Sequence, residues 1–89
     1  MQYELLYIVP ATLTDEDVGT VEGKVKAVLD KVGATVQDTK RLGKFRLAYP
    51  IKNVRHGHYV FVLTELEPAN VAKLDEALRL SGDVLRHLL

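Results

Sequence analysis

The 89-residue chain has no cysteine, which removes disulfide frameworks, thiolate nucleophiles and Cys-ligated zinc and suits a reducing compartment. Ser81 is the only serine and stands where a helix is expected to stop, so a Ser-His-Asp arrangement has no credible nucleophile. No apolar run approaches the roughly 18 residues of a membrane span. Met1-Gln2-Tyr3-Glu4 lacks the basic start and small-residue cleavage site of a signal peptide, so a soluble, cytoplasmic domain is expected. A net excess of positive charge is missing too: 12 Lys+Arg stand against 12 Asp+Glu, which excludes a globally basic nucleic-acid binder. With 47% hydrophobic residues, a chain this short has room for one core and one domain, residues 1–89.

Acidic residues are absent over one long stretch. Between Thr39 and Thr64 the charged side chains are Lys40, Arg41, Lys44, Arg46, Lys52 and Arg55, with His56 and His58 beside them. The stretch is +6 and the remainder −6, so the zero total hides a strong separation. A local basic field is felt by a phosphate backbone whatever the whole-chain balance. The same pattern also suits a solvated hairpin that discourages edge-to-edge aggregation, or a surface for an acidic protein partner.

Residues 3–9 alternate β-formers and end at Pro10, which predicts a strand. Thr14 before Asp15-Glu16-Asp17 is a helix start, Val18, Val21, Val25, Val28, Leu29 and Val32 recur at helical spacing, and Gly33 suits the C-terminal cap. Gly19, Gly23 and the valines give this helix poor intrinsic propensity, so tertiary packing must hold it. Residues 35–51 predict a long strand bulged or bent at Gly43, 52–57 a turn, and 58–66 a strand. Pro68 opens a second helix whose buried stripe is Val71, Leu74, Ala77 and Leu78, stopped by Ser81-Gly82, and 84–89 is a final strand. The order β-α-β-β-α-β predicts an α+β, ferredoxin-like sandwich, a four-stranded antiparallel sheet with two helices on one face. Its central first and third strands are apolar on both parities. Leu6, Ile8, Val60 and Val62 are expected in the core, leaving Tyr3, Tyr7, Tyr59 and Phe61 near the open face.

Little other chemistry is legible. His56 and His58 share a strand face, but without CxxC, HExxH or a carboxylate nearby they do not make a metal site. Gly19 and Gly23 lie inside a helix, unlike a phosphate-cradling loop, and residues 55–62 match an RNA recognition motif only weakly.

The run Leu42-Gly43-Lys44-Phe45-Arg46-Leu47-Ala48-Tyr49-Pro50-Ile51, followed by Gly57-His58-Tyr59, closely resembles the bacterial small-subunit ribosomal protein six family. Tyr3-Glu4, Ile8-Val9, Gly33 and Val84-Leu85-Arg86 extend the resemblance over nearly the whole chain. It implies a structural and assembly component of the small ribosomal subunit rather than an enzyme. It further implies binding to central-domain ribosomal RNA jointly with small-subunit ribosomal protein eighteen, without cofactor, membrane or small-molecule substrate. Lys40, Arg41, Lys44, Arg46, Lys52 and Arg55 then supply phosphate-neutralising charge, with Arg79, Arg86 and His87 as further RNA contacts. Leu42, Phe45, Tyr49, Tyr59 and Phe61 are the expected protein-partner residues; Leu42 stands where tryptophan is frequent and Phe45 where a basic residue is, which makes that contact less polar. Only Met1-Gln2 precede Tyr3 where members of the family commonly have basic residues, and the chain stops at Leu89 where many continue into a polar tail. The rival from another class is a homodimeric small-ligand regulatory domain, but residues 10–14 lack the glycine-bearing loop it needs. An acylphosphatase-like enzyme would need an arginine after the first strand, and none occurs before Arg41.

Overall fold

The computed structural model describes the backbone of residues 1–51, 54–82 and 84–89. Strand β1 (Gln2–Pro10) leads to helix α1 (Asp15–Lys31), strands β2 (Thr35–Ile51) and β3 (Val54–Glu65), helix α2 (Val71–Leu80) and strand β4 (Arg86–Leu88). The four strands form one antiparallel sheet in the order β2-β3-β1-β4, with β1 and β3 central, which is the expected ferredoxin-like arrangement.

Local chemistry fixes the first helix at both ends. Thr14 Oγ1 accepts from Asp17 N at 3.2 Å, and the Asp17 carboxylate accepts from Thr14 N, a reciprocal capping box. Beyond Lys31 the chain turns through Gly33 at φ +79°, a left-handed conformation that a Cβ would penalise. Ala34 N donates to Leu29 O at 2.9 Å and Gly33 N to Asp30 O at 3.1 Å, which satisfies carbonyls the helix leaves open. Val18, Val21, Val25 and Leu29 are buried, so packing of this stripe offsets the poor propensity of the valines and glycines.

Register decides which side of the sheet each residue faces. Every β1–β3 pair joins residues of opposite parity, so odd-numbered residues of β1 oppose even-numbered ones of β3, such as Leu5 to Val62 and Tyr7 to Val60, and directly opposed residues share a face. The helices therefore cover Tyr3, Leu5, Tyr7 and Val9 together with Val60, Val62 and Thr64. The expectation for β1 is reversed: Tyr7 is 1% exposed and in the core, whereas Leu6 and Ile8 point to the open face beside Phe61 and Tyr59. Apolar side chains on both parities made either assignment possible, and only the pairing with β3 removes one. Burial, reinforced by the charge of Glu22, pushes the Tyr7 phenol well above its ordinary pKa. Thr64, a buried polar residue, donates its hydroxyl to Thr35 O at 2.9 Å.

Boundaries differ at three places. β3 starts at Val54, so Arg55, His56 and Gly57 are strand residues rather than turn, with His56 and Gly57 paired to β2; Lys52, placed in that turn by the sequence, lies outside the described residues. Pro68 opens a 3₁₀ turn over Pro68–Asn70 before α2 proper begins at Val71. β4 is confined to Arg86–Leu88, although Val84 ahead of it is buried.

Candidate nucleic-acid interface

The long β2–β3 hairpin holds most of the expected site, and its two faces differ. On the open side, pairing aligns rows across the sheet: Lys40–Phe61–Leu6–Leu88, then Gly43–Tyr59–Ile8–Arg86, then Phe45–Gly57–Pro10. An apolar strip thus runs between cations at its two sides. Gly43, at φ +122°, lies at the register shift after Arg41, which is the expected bulge. The Phe45 ring leans over the space its missing side chain leaves and meets Tyr59 edge-on, with centroids 5.3 Å apart and planes at 80°. Phe45 is 50% exposed and Leu88 65%, so this strip is open to solvent. Leu42 is exposed at the bulge.

The hairpin end arches over the same face. Gly57 allows the approach: a methyl there would lie 2.3 Å from Ile8 Cγ2, and Leu47 Cδ2 is 3.6 Å from the same point. Leu47 is thereby buried although β2 is an edge strand, and Ile8 is covered although it faces away from the helices. Further out, Tyr49 reaches across to β4, where Arg86 Nη1 donates to its hydroxyl and the guanidinium carbon sits 5.6 Å from the ring centroid. Arg86 and Tyr49, assigned to RNA and protein contacts respectively, are therefore one unit.

The opposite, helix-side face of the hairpin aligns Arg41 with Val60, Lys44 with His58 and Arg46 with His56. His58 Nε2 donates to Leu13 O at 3.3 Å and ties β3 to the loop after β1. Arg41 donates through Nε, at 2.9 Å, and through Nη2 to the Glu22 carboxylate on α1, a hydrogen bond that pushes its own pKa up. Its charge is thus offset by α1. Lys40, Lys44, Arg46 and Arg55 are exposed, and no carboxylate among the described residues pairs with them.

The three residues expected from the C-terminal third separate from this surface or from one another. Arg79 donates to Asp75 Oδ2 at 2.5 Å on the exposed side of α2. His87 shares the helix-side face with Tyr7, its side chain is 10% exposed, and Nε2 donates to Asp75 Oδ1 at 2.7 Å. That hydrogen bond, with Arg79 beside it, holds the Asp75 carboxyl below its ordinary pKa. The strand alternation that exposes Arg86 turns His87, expected as an RNA contact, inward, so most of its ring is covered. The sequence gives Leu47 and Gly57 no role beyond their place in the family-like run, and it does not single out Glu22, because an acid on α1 facing the hairpin has no local signal. No three His, Cys, Asp or Glu side chains among the described residues are grouped to hold a metal ion, and no helix is long and apolar enough to cross a membrane.

Comparison with known proteins adds a separate line of information. A family model described as Ribosomal protein S6 matches residues 2–89. The small ribosomal subunit protein bS6 of Synechococcus elongatus is 45% identical over 86 residues, 97% of this chain and 80% of that protein. The bS6 protein of Desulforamulus reducens is 36% identical over 87 residues, 98% of this chain and 92% of that one. The crystal structure of 30S ribosomal protein S6 from Thermotoga maritima superposes with a TM-score of 0.87 at 20% identity, covering 98% of this chain and 82% of that one, and at this identity speaks for the fold.

Proposed function

Because the chain belongs to the ribosomal protein S6 family, structural and non-enzymatic proteins of the small ribosomal subunit, we propose that it binds central-domain ribosomal RNA of that subunit, together with ribosomal protein eighteen, and serves in subunit assembly. The observation that carries this reading is the two-sided hairpin. Four exposed cations without carboxylate partners among the described residues supply a surface for phosphates, and the adjoining apolar strip of Phe45, Tyr59 and Phe61 supplies one for a protein. Phosphate contacts of this kind position a protein on RNA without reading bases, so specificity comes from RNA shape and from the neighbouring protein. Lys52, Arg79 and Arg86 remain proposed supplementary contacts; Arg79 and Arg86 would have to exchange their present partners for phosphate.

The test is charge reversal at Arg46 and Arg55, both exposed. The double variant Arg46→Glu/Arg55→Glu is expected to keep the wild-type circular dichroism and melting temperature while RNA affinity falls and its salt dependence flattens, by about one unit of slope per lost contact. Unchanged affinity would remove the hairpin from the RNA interface.

A further inference from the structure

The sides of the hairpin differ enough to say where on it a phosphate would sit. Just beyond Pro10 the chain runs along the start of β3, with Ala11 N donating to His56 O at 3.1 Å, and a shallow groove of about 560 Å³ opens there. Its lining is Ala11, Thr12, Lys44, Val54, Arg55 and His56. Two exposed cations and an exposed imidazole converge on this groove, none of them paired with a carboxylate among the described residues, and Thr12 adds a hydroxyl to the opposite wall. Arg46, paired with His56, extends the basic edge outward.

The boundaries of this surface are electrostatic. Toward α1 the next depression contains Asp15 with Arg41, Lys44 and His58, and the first turn of α1 adds Glu16 and Asp17. Arg41 is already committed to Glu22. A polyanion is therefore repelled from the α1 end and drawn toward the hairpin end. Across the sheet, Lys40 stands beside Phe61 on the apolar strip, where a phosphate would face aromatic rings instead of further donors.

We propose that the groove formed by Lys44, Arg55 and His56 against the Ala11–Thr12 segment is a seat for an RNA backbone phosphate, with Lys44 and His56 on the face of the hairpin opposite the apolar strip. This rests on the RNA-binding reading above and specifies it. RNA held at this groove then leaves the apolar strip free for a protein partner.

The test measures binding of a central-domain ribosomal RNA fragment to the full chain in the presence of ribosomal protein eighteen, over a series of salt concentrations. Lys44→Gln/His56→Gln is expected to weaken binding about tenfold and to lower the salt slope by about one to two. Lys44→Arg retains both affinity and slope, and Lys40→Gln, on the other face, lowers affinity much less than the groove pair does. Loss with Lys40→Gln but not with the groove pair, or equal loss from the two faces, overturns the placement while leaving RNA binding intact. Absence of salt-dependent RNA binding by the wild-type chain overturns the placement and the broader reading together. Loss of binding to ribosomal protein eighteen in the groove pair, with RNA affinity retained, assigns the groove to the protein partner and also overturns the proposal.

Discussion

Replacing Gly57 by alanine tests the packing that shapes the hairpin. The added methyl would lie 2.3 Å from Ile8 Cγ2, 3.4 Å from Val9 O and 3.6 Å from Leu47 Cδ2. Ile8 is β-branched and sits in a central strand, so its Cγ2 cannot swing aside without leaving its preferred rotamer or moving β1. Inserting a methylene-sized group into a filled space costs about 1–3 kcal/mol. For a domain of this size that corresponds to a fall in Tm of about 4–8 °C per kcal/mol, so a loss of about 2 kcal/mol appears as about 8–16 °C. Urea unfolding followed by circular dichroism gives the difference directly. The cause is separable from a general strand preference by repeating the substitution in an Ile8→Ala background, where the obstructing methyl is gone. There the cost of Gly57→Ala is expected to shrink by about 1 kcal/mol, a coupling typical of residues in contact. A change below about 0.5 kcal/mol, the size usual for uninvolved surface positions, or the same cost in both backgrounds, would refute the proposed contact.

Tyr7→Ala is expected to cost about 3–5 kcal/mol because its ring is fully within the core, whereas Tyr59→Ala, half-buried on the open face, costs far less; denaturant midpoints compare them. Gly23→Ala should stabilise the chain by about 0.5–1 kcal/mol in the same assay, since Gly23 is exposed within α1 and nothing lies within 4 Å of the added methyl. Asp75 has a lowered carboxyl pKa in the folded state, so its contribution is present above the unfolded carboxylate value of about 4 and is lost as pH falls through the lower folded value. Asp75→Asn is therefore expected to show a shallower loss of stability below pH of about 4 than the wild type, read from urea midpoints across that range.

The element order and the ends of α1 were legible because they rest on local chemistry. Thr14 with Asp17, Gly33 after Lys31 and Gly43 in a strand each announce a backbone conformation within a few residues. Sidedness on β1 was not legible, since Leu6 and Ile8 are as apolar as Leu5 and Val9 and only the partner strand chooses between them. The same holds for the site. A run of six cations is visible in sequence, but the neutralisation of Arg41 by Glu22, nineteen residues earlier, and the inward turn of His87 toward Asp75 depend on tertiary placement. The arch that buries Leu47 and brings Tyr49 to Arg86 joins opposite edges of the sheet and is equally non-local.

The most direct test of the functional account is sedimentation of the tagged chain from a bacterial lysate, with and without ribonuclease and at low and high salt. Migration with the small ribosomal subunit, abolished by ribonuclease and weakened by high salt, is the predicted result. Migration as a free monomer or dimer, indifferent to ribonuclease and salt, would contradict it.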